Sequence, residues 1–142
     1  MKYYVKAIYS GWSEVTKENY EAFIENMRNG ITTMGSKKKE SYINDHVKVV
    51  EDGTIENLKA TLDVLDSRTK ESDKAEKAYE ADYMNEEKEN AFDKAYEKEY
   101  NALMEASELI SRITKGKIGL LTAKEMIREK KSEVASIIAK AV

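Results

Sequence analysis

Residues 54–115 read TIENLKATLDVLDSRTKESDKAEKAYEADYMNEEKENAFDKAYEKEYNALMEASELISRITK, 62 consecutive positions without a glycine. The six glycines fall at 11, 30, 35, 53, 116 and 119, and the chain has no proline at all. The two residues that most strongly end helices are therefore missing. Ala, Glu, Lys, Leu, Tyr and Asp fill the stretch instead, mostly good or tolerable helix formers. As one helix it would run roughly 90 Å at about 1.5 Å per residue. A globule of 142 residues has a radius of gyration of only about 14–15 Å. The arm must fold back, protrude or pair with another chain.

Its apolar pattern has two parts. Ile55, Leu58, Leu62 and Leu65 repeat with 3-4-3 spacing, a short coiled-coil seam. Continuing that heptad puts Thr69, Ser72 and Glu76 at core positions, so the seam dissolves. From Asp66 to Glu99 more than half of the residues are charged. Such a segment is a solvated helix held by ion pairs, a hairpin tip, or partly disordered. Asn85 and Asn90 are the candidates for a glycine-free turn. A second stripe then runs through Phe92, Tyr96, Tyr100, Leu103, Ser107, Ile110 and Ile113. Lys115-Gly116 supplies a cation and then a residue free to turn left-handed, a helix stop. Thr122 to Glu125 has the form of a capping box, with Leu121 and Met126 as its staple. Ile127, Val134, Ile137 and Ile138 make the buried face of this last helix.

Upstream, residues 2–9 alternate: Tyr3, Val5, Ala7 and Tyr9 on one side, Lys2, Tyr4, Lys6 and Ile8 on the other. That is a strand, and Gly11-Trp12-Ser13 turns the chain out of it. Thr16 is placed as an N-cap. Tyr20, Phe23, Ile24 and Met27 form one stripe, and Gly30 is expected to end that helix in a left-handed conformation. A short helix through Tyr42 and Ile43 leads to a second strand, Val47 to Val50. Residues 1–53 are therefore expected to form a β-α-α-β head, and residues 54–142 a helical hairpin with a C-terminal helix. The fold class is α+β, mostly helical, with a two-stranded sheet.

Composition narrows the function. A formal net charge of −3 argues against direct nucleic-acid binding, which goes with a basic excess. Without cysteine there is no disulfide framework, no thiolate zinc site and no thiol nucleophile. No 18-residue apolar run spans a membrane, and Met1 to Lys6 lacks a signal-peptide core. The expectation is a soluble cytoplasmic protein, in the host cell if phage-encoded. His46 is the only histidine; on a strand, Asp45 points to the opposite face and is poorly placed to orient it. Glu86, Glu87 and Glu89 resemble a solvated face more than an acid/base pair. No enzyme, cofactor or metal site is expected.

The binding candidates are Trp12, Arg28, Lys37, Lys38 and Lys39 in the head, and Tyr79, Tyr83, Tyr96 and Tyr100 in the hairpin. Trp12 either lids the core or stacks on a base or partner. With Arg28 and the lysines, it makes a set able to hold a nucleotide, rings stacking and cations gripping phosphate. The tyrosines offer apolar bodies with wet ends, suited to a partner surface as well as to helix packing.

The segment Trp12-Ser13-Glu14-Val15-Thr16-Lys17-Glu18-Asn19-Tyr20-Glu21-Ala22-Phe23, continuing to Arg28-Asn29-Gly30-Ile31-Thr32, resembles small accessory proteins of phages and prophages of low-GC Gram-positive bacteria. It covers about the first third of the chain. The resemblance implies roles such as anti-CRISPR inhibition, sequestration of cyclic nucleotide immune signals (antagonists of Thoeris and CBASS), or assembly. No functional residue carries over from it. We expect a non-enzymatic anti-defence protein that binds a host defence protein or a cyclic nucleotide signal. It either occludes a nucleic-acid-binding effector with an acidic face that mimics phosphate, Glu86 to Glu99, or sequesters the nucleotide around Trp12, Arg28 and Lys37 to Lys39. The alternative is a helical scaffold or assembly adaptor. A homo-oligomer, dimer or higher, is expected, joined by the stripe from Phe92 to Ile113 and by sheet pairing through the first strand.

Overall fold

A computed structural model describes all residues 1–142, which divide into two compact units, Met1–Asp52 and Gly53–Val142. The fold is α+β and mostly helical, with a small N-terminal sheet and long helices.

In the first unit the sheet has three strands rather than two: β1 (Lys2–Ala7), β2 (Gly11–Val15) and β3 (Val47–Val50), in the order β2-β1-β3. Both pairings are antiparallel. Gly11-Trp12-Ser13 is thus the start of a strand, not an exit from one. The turn is Ile8-Tyr9-Ser10, and Gly11 (φ +68°) takes the left-handed conformation that a short hairpin connection needs. Ile8 and Tyr9 look like strand residues but lie in this turn, 85% and 97% exposed. Because β1 is bonded on both edges, it has no free edge for pairing with another subunit, which corrects that expectation.

In-register partners share a sheet face. Tyr3 and Val5 lie with Val15, Ser13, Val49 and Val47, and Tyr3 packs its ring 5.2 Å from Tyr20 of α1 (Lys17–Gly30). Thr16 caps α1 as expected, its hydroxyl accepting from the Asn19 N–H at 3.2 Å. Gly30 does not turn left-handed. The helix instead ends on extended Ile31, whose N–H donates to the Met27 carbonyl. Helix α2 (Ser36–Asn44) buries Ile43 and leads into β3.

The second unit answers the question posed by the breaker-free arm: it folds back. Helix α3 (Ile55–Ala81) and helix α4 (Glu86–Ile113) are 27 and 28 residues long and pack against each other. Thr54 caps α3 by accepting from the Asn57 N–H, and the Asn57 side chain accepts from the Gly53 N–H in return. The turn is Asp82-Tyr83-Met84-Asn85. Asn85 caps α4 by accepting from the Lys88 N–H, and Glu86, Glu87 and Glu89 complement the positive helix end. The hairpin continues past Leu65 because small side chains replace the leucines. Ser72, at a core position of the dissolved heptad, is 3% exposed.

At the far end of α4, Lys115 is itself left-handed (φ 54°). The Gly116 N–H donates to Ser111 O, and the Lys115 N–H to Arg112 O. This pair of bonds is the Schellman arrangement with lysine at the position glycine prefers.

Helix α5 (Leu120–Lys130) starts earlier than the Thr122 capping box predicts. Gly119 is its N-cap, no side chain caps it, and Leu121 is 71% exposed, so there is no staple. Burial of Ala123 and Ile127, one turn apart, sets the start and overrides the local cap. A short 3-10 turn (Lys131–Glu133) then breaks the expected single helix into α5 and α6 (Val134–Ala141). Leu58, Ile110, Val134 and Ile138, each fully buried, centre the core of this unit.

Candidate functional site

The surface with the most distinctive chemistry is on α4. At about 100° per residue, Glu86, Glu89, Asp93 and Glu97 fall within an arc of about 80°, spaced 3, 4 and 4 residues apart. The steps from Glu89 to Asp93 to Glu97 each rise about 6 Å. All four are exposed, and no cation of this chain engages them. Of the three lysines of the same segment, Lys88 and Lys98 fall about 100° outside this arc and Lys94 about 60° outside it. Lys88 pairs with Asp82 at 3.4 Å. The segment 86–99 has six carboxylates and three lysines, and four of the six carboxylates share one side of the helix. Tyr100, 44% exposed, extends the acidic stripe by one turn.

Beside the stripe lies a cleft of roughly 670 Å³ between α3, α4 and the end of α5. Its floor is Leu62, Leu65, Leu103 and Ile127, and Tyr96 and Tyr100 stand on its α4 side. Asp63, Asp66 and Glu99 line the hairpin walls, whereas Arg128 and Lys131 line the α5 end. Lys124 of α5 sits 5.5 Å from the Tyr100 ring centre, so that ring already holds one cation. The backbone at Lys131 has a positive φ (48°, with ψ −120°), a conformation unfavourable for a side-chain-bearing residue, and it stops α5 at the cleft.

The residues singled out in the sequence separate into distinct places. Tyr96 and Tyr100 come together in the cleft. Tyr79 packs against Phe92 with ring centres 6.1 Å apart, near the hairpin turn, and Tyr83 is 68% exposed in that turn beside Met84, 81% exposed. In the first unit, Trp12 is half-buried with the Lys48 amine 4.4 Å from its ring. Arg28 is held by Glu40 of α2 through two bonds, Nε to Oε1 at 2.9 Å and Nη2 to Oε2 at 3.0 Å. The hydrogen bond to Glu40 raises the Arg28 pKa, and the same bond lowers that of Glu40. Lys37 and Lys38 are exposed on the first turn of α2 and Lys39 is half-buried. His46 points Nδ1 at the Tyr42 carbonyl (2.7 Å), which requires the proton on that nitrogen, and packs 4.2 Å from the Tyr42 ring. No group of three or more histidine or carboxylate side chains is arranged to hold a metal ion, and no helix is long and apolar enough to cross a membrane.

Comparison with protein-family models, curated proteins and solved structures returns no match. The site stands on its own chemistry. Sequence inspection missed Arg128 and Lys131, about 30 positions from the tyrosines they face, because only tertiary packing joins them. The acidic face from Glu86 to Glu99 was legible in the sequence, and the start of α4 after Asn85 narrows it to the stripe of four.

Proposed function

We propose that this chain is a phage-type anti-defence protein that works by binding rather than turnover, occluding a nucleic-acid-binding host effector such as a CRISPR-Cas nuclease. The acidic stripe of α4 carries the proposal. Four unpaired carboxylates at regular spacing on a rigid helix present a row of negative charge, as a phosphate backbone does, to a channel lined with Lys and Arg. A helix fixes these groups in advance, so little ordering is required on binding. The net charge of −3 steers the protein toward such basic surfaces.

The competing mode, capture of a cyclic nucleotide by the head, is less well supported. Arg28, its strongest phosphate ligand, is already committed to Glu40 in a bidentate pair. The scaffold alternative rests on a different feature, the exposed Tyr83 and Met84 at the hairpin turn. It requires a partner that binds the turn and is indifferent to the stripe.

The test is a cleavage assay with a panel of CRISPR-Cas effector complexes. Wild-type protein inhibits at least one of them stoichiometrically, and added nucleic acid competes with it. The triple reversal Glu89→Lys, Asp93→Lys, Glu97→Lys keeps its helical circular dichroism and loses inhibition. Inhibition untouched by the reversal, or none across the panel, defeats the proposal.

A further inference from the structure

We infer that the cleft beside the stripe is a self-association surface, and that its occupant is a second copy of this chain in a two-fold dimer. Leu65, Tyr96 and Tyr100 form an apolar and aromatic face in the middle of the hairpin. Tyr96 and Tyr100 are 58% and 44% exposed, and tyrosine is among the residue types enriched where proteins meet. Helix α5 packs along α4, but the positive-φ turn at Lys131 ends it, so the groove beyond stays open.

The charge pattern identifies the occupant. The cleft is bipolar, with Asp63, Asp66 and Glu99 on the hairpin and Arg128 and Lys131 on the α5 end. A two-fold axis makes each patch meet the same surface in reverse. Laying one cleft face on another therefore brings the basic end of each α5 against the carboxylates of the other copy, with the tyrosines central. A wholly basic or wholly acidic partner finds one end of the cleft repulsive. Another copy of this chain matches both ends.

Light scattering and sedimentation between about 1 and 100 µM test this. The expected mass is about twice the 16.2 kDa of one chain. Tyr100→Glu, or Tyr96→Glu if the first fails to fold by circular dichroism, shifts the protein to monomer. Glu99→Lys and Arg128→Glu each weaken the dimer roughly ten-fold or more, and the double variant regains wild-type affinity because the swapped charges attract again. A wild-type protein that is monomeric at the highest concentration overturns the inference. So does a dimer insensitive to the tyrosine variants, or one that the double swap fails to restore. Glu99 and Arg128 lie outside the acidic stripe, so loss of the dimer with retained inhibition, or the converse, separates this inference from the proposed function.

Discussion

Arg28 and Glu40 close a bidentate clamp between α1 and α2, with both nitrogen–oxygen contacts at or below 3.0 Å. Guanidinium and carboxylate match here in a planar fork geometry, in which lysine is no substitute. Both side chains are about half-exposed, so the pair positions α2 more than it stabilises the fold.

The clamp has a pH signature. Hydrogen bonding to Arg28 holds the Glu40 carboxyl below its ordinary range. A carboxyl lowered by folding contributes its stabilisation in full above the unfolded value, near 4.3, and loses it as pH falls through the lowered folded value. Carbon-13 titration of the side-chain carboxyls should show Glu40 protonating below the ordinary range of a glutamate. Arg28→Gln should return it to the ordinary range, and an unchanged midpoint in that variant would refute the assignment.

A second ion pair lies in a drier place. Arg68 Nη1 is 3.2 Å from Glu71 Oε1 on α3, with side chains only 11% and 29% exposed. Removing one partner of such a pair leaves a poorly solvated charge, so Glu71→Ala should destabilise by about 1–3 kcal/mol. Replacing both by apolar residues of similar size, Arg68→Met with Glu71→Leu, should fall within about 1 kcal/mol of wild type or above it. Urea denaturation of the two variants measures the contrast. A double variant less stable than the single would show that the charges are net stabilising.

Fold class and hairpin were legible because they rest on long-range regularity. Sixty-two residues without a breaker and two apolar stripes leave a folded-back pair of helices as one of few solutions. Local caps were legible where they act alone, as at Thr16, and Asn85 was legible as part of a turn. They misled where packing competes, as at Thr122, because burial of Ala123 and Ile127 outweighs one hydroxyl cap. Strand β2 escaped notice because five residues starting with glycine carry little periodicity, and its evidence is the partner strand. The cleft was hidden for the same reason: its basic end and its tyrosines are neighbours only after α5 has docked.

The core of the second unit makes a quantitative expectation. Ile110 is fully buried among Leu58, Leu103 and the C-terminal helices. Ile110→Ala removes three carbons from a closed site and should cost about 2–5 kcal/mol, enough to unfold a marginal domain. Thermal melting would read this as a large drop in Tm. The exposed Leu121→Ala should barely move it, because that side chain is already 71% in solvent.

Lys131 and Lys115 both hold positive φ, at 48° and 54°, without being glycine. For an L-residue this crowds Cβ against the backbone, whereas glycine adopts it freely. The ψ of Lys131, −120°, also takes it outside the ordinary left-handed helical region. Lys131→Gly should therefore stabilise by about 1 kcal/mol, and Lys115→Gly by about 0.5–1 kcal/mol. The two differ in consequence, since Lys131 lines the cleft and Lys115 does not. If the cleft joins two copies, Lys131→Gly raises Tm while weakening self-association, because a cation facing the partner's carboxylates is lost. Lys115→Gly raises Tm and leaves association alone. Melting and sedimentation on the same samples distinguish strain that merely ends a helix from strain kept at a surface that uses the side chain.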